Sequence, residues 1–155
     1  MITAAVENLT ERLEELKTFF PVHAAELDTY ADRRPLAPQY GEYLRRDVAG
    51  NVLFVAVRRD GKIIAYWVSF VCPALHYETT LTCMQDIFFT LPQTRGRVAA
   101  AAAIAMFRAV IAECKRRGVK EIRGGHKLGD HDAAKLFKAF GFTPVETIHS
   151  LWLGE

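Results

Sequence analysis

Between Val52 and Leu91 three β-rich runs follow one another on short connections, and a helix of some twenty residues begins almost at once. No other feature limits the fold of this chain as much. Val52-Leu53-Phe54-Val55-Ala56-Val57 reads as a strand, and Arg59-Asp60-Gly61-Lys62 as a hairpin turn in which Gly61 supplies positive φ. Ile63 to Val71 is the return strand, ended by Pro73, and Thr79 to Leu91 is a third, stopped by Pro92. Connections this short make the three strands antiparallel. The helix, Arg97 to Arg117, is alanine-rich and apolar on most sides, as expected of a helix pressed against a sheet. Lys115, Arg116 and Arg117 fill its last turn, where cations complement the helix dipole, and Gly118 stops it. Val119-Lys120-Glu121-Ile122-Arg123 then predicts a short strand, and strand–helix–strand implies a parallel crossover. A loop from Gly124 to Asp130, a short helix from Ala133 to Phe140 ending at Gly141, and a last strand from Thr143 to Leu153 complete this part.

Ahead of the strands, Val6, Leu9, Leu13, Leu16 and Phe20 fall at spacings of three and four with acids opposite, predicting an amphipathic helix that Pro21 stops. A second helical stretch covers Val22–Tyr30, the loop Arg33-Arg34-Pro35-Leu36-Ala37-Pro38 follows, and residues 39–47 predict another short helix. With no repeat and no linker, 155 residues make one mixed α+β domain spanning 1–155. Half the residues are apolar and a quarter charged, which excludes a fibre or a disordered tail. The longest apolar run, Val98 to Phe107, is far short of the roughly 20 residues a bilayer needs. Glu7, Glu11, Glu14 and Glu15 break any signal peptide, so no membrane partner and a cytoplasmic location are expected. Cys72, Cys83 and Cys114 form neither a Cys-x-x-Cys pair nor an even set, and core thiols are expected.

Charge is uneven along the chain. Residues 1–44 carry 4 basic and 8 acidic side chains, whereas residues 92–127 carry 9 basic and 2 acidic. A local positive field suits a phosphate-bearing ligand. The basic side chains cluster at the two ends of a helix with an apolar middle, so they form no continuous basic face, and nucleic acid is not expected as a partner.

The most informative stretch is Asp86-Ile87-Phe88-Phe89-Thr90-Leu91-Pro92-Gln93-Thr94-Arg95-Gly96-Arg97. A strand ends at proline, a turn with arginine and glycine follows, and the long helix starts. Unpaired amides and the positive end of the dipole make such a helix start an anion site suited to a pyrophosphate. Taken with the order of elements, this stretch resembles the GNAT acetyltransferase superfamily, over nearly the whole chain and most clearly from Val52 to Leu153. That family's signature is Arg/Gln-x-x-Gly-x-Gly/Ala; the frame here is Arg95-Gly96-Arg97-Val98-Ala99-Ala100, with Val98 in place of the central glycine. The Gly141-Phe142 ending of the short helix is also similar. GNAT-like proteins of phages and prophages are closer still in pattern, through His76-Tyr77, Asp86, Pro92 to Gly96, His131-Asp132, and Glu146-Thr147-Ile148-His149-Ser150.

The resemblance implies a mostly antiparallel central sheet whose central strands splay apart, with acetyl-CoA in the gap. Main-chain groups of Phe88, Phe89 and Thr90 would pair with the pantetheine arm as a strand would, and amides of Arg95, Gly96, Arg97, Val98, Ala99 and Ala100 would take the pyrophosphate. It also implies direct attack of an amine, on a small molecule or a protein, with backbone N–H groups stabilising the oxyanion. A homodimer is compatible with it. The rival implication is a catalytically silent GNAT-fold protein, a binding or virion-associated phage component in the host cytoplasm.

Asp86 is the leading candidate for the base, on the strand just before the turn; alternation puts Asp86, Phe88 and Thr90 on one face. Its ordinary alternative is an ion pair with a basic side chain of residues 92–127. Tyr77, with its neighbour His76, and His149 are further candidates for proton transfer. Phe137 stands where the family usually has an acid tyrosine, and has no proton to give. His126, Asp130, His131 and Asp132 match no standard metal spacing, so no metal is expected, and Asp130 serves equally as a helix cap.

Overall fold

The computed structural model describes residues 1–94 and 96–154. It begins with a strand, β1 (Ile2–Glu7), and not with a helix. β1 pairs antiparallel with β2 (Val52–Arg59) at the sheet edge, where Ile2 and Ala4 reach the core, so Val6 leaves the helical stripe and stays exposed. The Asn8 side chain accepts from the Glu11 amide at 3.0 Å and starts α1 (Leu9–Lys17), whose Leu9, Leu13 and Leu16 are buried. Pro21 does not end a run. It lies in the first turn of α2 (Phe20–Leu27), where its missing N–H would be unpaired anyway. α3 (Tyr40–Val48) completes this layer.

β2 turns into β3 (Lys62–Ala74) through Asp60 and Gly61, at φ 53° and 80°, the pair of left-handed residues that a tight hairpin requires. β4 (Tyr77–Thr90) follows, then α4 (Gly96–Arg116), β5 (Glu121–Arg123) and α5 (His131–Ala139). Sheet order is β1-β2-β3-β4-β5, antiparallel except for the β4–β5 pair. β2 and β3 are buried on both faces, which is why they read as continuous apolar runs. α1, α2 and α3 cover Phe54, Tyr66, Val68 and Phe89 on one face. α4 and α5 cover Val55, Trp67 and Cys83 on the other, with Phe107 edge-on to Trp67, Phe88 and Phe137 at 5.1–5.6 Å. No described helix is long and apolar enough to cross a membrane.

The expected last strand does not form. Residues 143–154 carry no regular structure, Val145, Ile148 and Leu151 are exposed, and Trp152 packs on Tyr30 at 5.3 Å. The neighbour it would join, β5, is three residues long and offers few ladder bonds, and Pro144 lacks a donor at the start of the run.

Candidate functional site

The β4–β5 ladder stops almost as soon as it starts. Thr82, Cys83 and Met84 face Glu121, Ile122 and Arg123, and past Met84 no described strand joins that edge of β4. The parting point is held by side chain to main chain bonds: Gln85 Nε2 donates to the Gly125 carbonyl, and the Gly125 amide donates to Gln85 Oε1, both at 3.0 Å. Gly124 fits there only because it has no Cβ. One would lie 2.5 Å from Gln85 Oε1 and 3.0 Å from the Phe137 ring.

One extra residue re-aims the rest of β4. Val68 of β3 faces Ile87 while Ser69 faces Gln85, so Asp86 has no partner and forms a β-bulge. The alternation expected from the sequence is therefore broken at Asp86. Cys83 and Phe88 pack on the α4 face, whereas Ile87, Phe89 and Asp86 turn to the α1–α3 face. There the Tyr43 hydroxyl donates to Asp86 Oδ2. Tyr43 is held by the rings of Phe20 and Phe70 at 6.1 and 5.9 Å. Burial, and then its bond to Asp86, push the Tyr43 hydroxyl well above its ordinary pKa of 10.0, so it remains a neutral donor.

Asp86 lies on the wall of a cleft of about 790 Å³ between α2, α3, the 28–39 loop and β4. His23 of α2 lines the same cleft, half-buried, its ring 5.1 Å from Phe89. Burial and, less, Lys127 lower its pKa from 6.5 against the opposing charges of Asp86 and Asp28, so the imidazole is neutral at pH 7. Behind them Tyr66 is fully buried, its hydroxyl without a described partner and its pKa raised by burial and by the Asp86 charge.

On the opposite side of the sheet, Phe88 packs against Trp67, Phe107 and Phe137, Phe89 is buried in the other core, and Thr90 is part-buried. What these three offer a ligand is main chain along the unpaired edge. Arg95 lies outside the described residues. Gly96, at φ 58°, takes a left-handed turn into α4, and Gly96, Arg97 and Ala100 are exposed with Val98 and Ala99 part-buried. The first-turn amides of α4 have no acceptor within the helix, and the turn that carries them leaves β4 at the end of the unpaired edge. Open main chain followed by free amides fits a pantetheine–pyrophosphate group.

Asp86 meets Tyr43 where an ion pair was the ordinary expectation, and no salt bridge to it exists among the described residues. Tyr77 is exposed at the far end of β4, nine residues or about 30 Å of strand from Asp86. His76 beside it and His149 in the irregular C-terminal segment are exposed as well. The structure thus gathers Asp86 with His23, Tyr43 and Tyr66, not with Tyr77 or His149. Spacing carried no signal for His23 or Tyr43, because each reaches the cleft from a helix that tertiary packing alone brings to β4. Asp130 caps α5, accepting from the Ala133 amide at 2.9 Å, and Cys83 and Cys114 are buried free thiols.

No family model and no curated protein matches the sequence. Solved structures match along its whole length. The ribosomal-protein-alanine N-acetyltransferase from Brucella melitensis biovar Abortus 2308 superposes with a TM-score of 0.72 at 16% identity, over 100% of this chain and 99% of its own. An aminoglycoside acetyltransferase from an uncultured soil metagenomic sample, in complex with trehalose, gives 0.73 at 10% identity, over 99% and 96%. A predicted acetyltransferase with acetyl-CoA from Clostridium acetobutylicum gives 0.66 at 17% identity, over 99% and 97%. The chain has the fold of the GNAT acetyltransferases.

Proposed function

We propose that the chain transfers an acetyl group from acetyl-CoA to an amine held in the cleft at Asp86. The observation that carries this is the parting of β4 from β5 at Gln85, which leaves the main chain of Phe88–Thr90 open just ahead of the first turn of α4. Bound there, acetyl-CoA supplies an activated acyl carbon and a thiolate leaving group. An amide of residues 88–90 on the free edge donates to the thioester oxygen as negative charge develops on it. Amides of Gly96–Ala100, with Arg97, hold the phosphates, and Val98 leaves its own N–H available because that contact is main chain.

Asp86 fixes the acceptor ammonium and takes its proton. The amine lone pair would then attack the acyl carbon; as the carbon–sulfur bond breaks, the nitrogen would release its second proton to His23 or solvent, and the thiolate would take one from solvent, since Phe137 has none to give. Tyr43 orients the Asp86 carboxylate, and neutral His23 provides a second proton acceptor in the cleft.

Calorimetry and thermal shift with acetyl-CoA, followed by CoA release with added amines, test the proposal. At about 100 times the dissociation constant, binding adds about 2.7 kcal/mol, a rise of roughly 5–10 °C in Tm for a chain of this size. Asp86→Asn should keep cofactor affinity and lower turnover by about 10²–10⁴-fold, least at high pH where the amine is already neutral. Unaltered turnover across the pH range would shift the base to His23, the other titratable group in the cleft that can accept a proton. No heat and no shift with millimolar acetyl-CoA would favour the silent, phage-component reading.

A further inference from the structure

The cleft also specifies what kind of amine it takes. This step rests on the acetyl-transfer reading for its chemistry but not for its binding argument. Three carboxylates and two guanidinium groups line the cleft. Asp28 is bonded at both oxygens by Arg34, at 3.0 and 2.8 Å, and also accepts from the Tyr30 amide at 2.9 Å. Glu42 is bonded by Arg45 and Arg46 at 2.6–2.8 Å, and these bonds hold its pKa at about 2. Arg46 is committed a second time, 4.4 Å over the Phe70 ring. Asp86 alone of the three has no cationic partner among the described residues, and its Tyr43 bond leaves Oδ1 free. Asp28 and Glu42 are thus neutralised by their arginines, Lys127 lies close enough to act on His23 and Asp28, and Asp86 is the lining carboxylate left open to a cation. Around it the walls are apolar: Phe20, Ala24, Leu36, Pro38, Phe70 and Ile87.

We infer that this cleft binds a small free amine carrying one positive charge on an apolar body. The ammonium pairs with Asp86 and the body covers the apolar walls. A second ammonium would meet either a carboxylate already neutralised or the guanidinium groups of Arg34 and Arg46. A polyhydroxylated polycation would leave its hydroxyls against carbon, and a peptide amine would lay its amides against the same apolar walls.

Titration calorimetry on the full chain, without acetyl-CoA, tests this with five probes. They are 2-phenylethylamine, its uncharged isostere 2-phenylethanol, hexane-1,6-diamine, neamine and an alanine-initiated tetrapeptide. Phenylethylamine should bind at least tenfold tighter than each of the others. Asp86→Asn, whose unchanged melting would show an intact fold, should weaken phenylethylamine about 10–100-fold and leave phenylethanol where it was. Arg34→Gln, which frees Asp28, should raise the affinity for hexanediamine about fivefold relative to phenylethylamine, a gain that a merely structural loss does not produce. Equal or tighter binding of diamine, neamine or peptide would overturn the inference, as would no binding of phenylethylamine. Tight phenylethylamine binding with no acetyl-CoA turnover would sink acetyl transfer and leave the assignment of the cleft standing. Turnover that prefers a polycation would do the reverse.

Discussion

The two halves of β4 belong to one strand and have different neighbours. Thr82–Met84 is bonded to β3 on one edge and to β5 on the other, while Ile87–Thr90 has β3 alone. The change takes place within two residues. Gln85 turns its side chain into a substitute strand by bonding both main-chain groups of Gly125, and Asp86 adds the bulge that carries a carboxylate to the other face. The paired half makes core. The unpaired half leaves main chain open on one side and an acid in a cleft on the other. An unpaired edge within a sheet is costly unless something completes it, and this one is kept open by specific contacts.

Removing the packing behind those contacts should have the largest effect. Phe137 is 6% exposed and its ring meets Phe88, Phe107 and Phe142 while resting against Gly124. Phe137→Ala should lower unfolding stability by about 3–5 kcal/mol in urea titration, the usual cost of deleting a buried ring. A loss below about 1 kcal/mol would mean the α5 face does not support the parting point. A smaller and more local break is Gly124→Val, which drives a side chain into Gln85 and Phe137. It should cost about 1–3 kcal/mol and abolish the acetyl-CoA-dependent rise in Tm. Gly125→Ala, with open space around its Cβ position, should stay within about 0.5 kcal/mol of the parent protein. Equal behaviour of the two variants would show that the close approach at Gly124 does not matter.

The smallest effect belongs to the cleft side. The folded-state pKa of His23 lies below 6.5, so the unfolded chain binds more protons as pH falls through that range. Stability from neutral His23 is complete above pH 6.5 and is lost as pH drops toward the folded-state value. Urea stability of His23→Asn should therefore fall less than that of the parent between pH 7 and pH 5. Parallel curves would place His23 in solvent instead of against Phe89.

Most of the fold is written in local pattern: two hairpins, the long helix and its glycine stop, the short crossover strand. β1 was not legible because Val6 fits a helical stripe and a strand alternation equally well, and only pairing with Val55 of β2 decides. The last strand was expected from Thr143 to Leu153, but a strand also needs a neighbour long enough to hold it. The same limit governs the site. The resemblance carried by the turn before α4 implied the open main chain beside Asp86, whereas the true face of Asp86 depends on a bulge against Ser69 and Val68 that no period-two reading shows. His23 and Tyr43 depend on helix packing over 43 and more residues of sequence, and carry no motif.

Amide hydrogen exchange along β4, with and without acetyl-CoA, tests the central claim most directly. Amides of Thr82–Met84 should be slow in both states. Those within Phe88–Thr90 that face away from β3 should exchange at least tenfold faster than them in the free protein, and slow by tenfold or more at saturating acetyl-CoA. If Phe88–Thr90 is already as protected as Thr82–Met84 and acetyl-CoA changes neither, the unpaired edge of β4 is not a cofactor site.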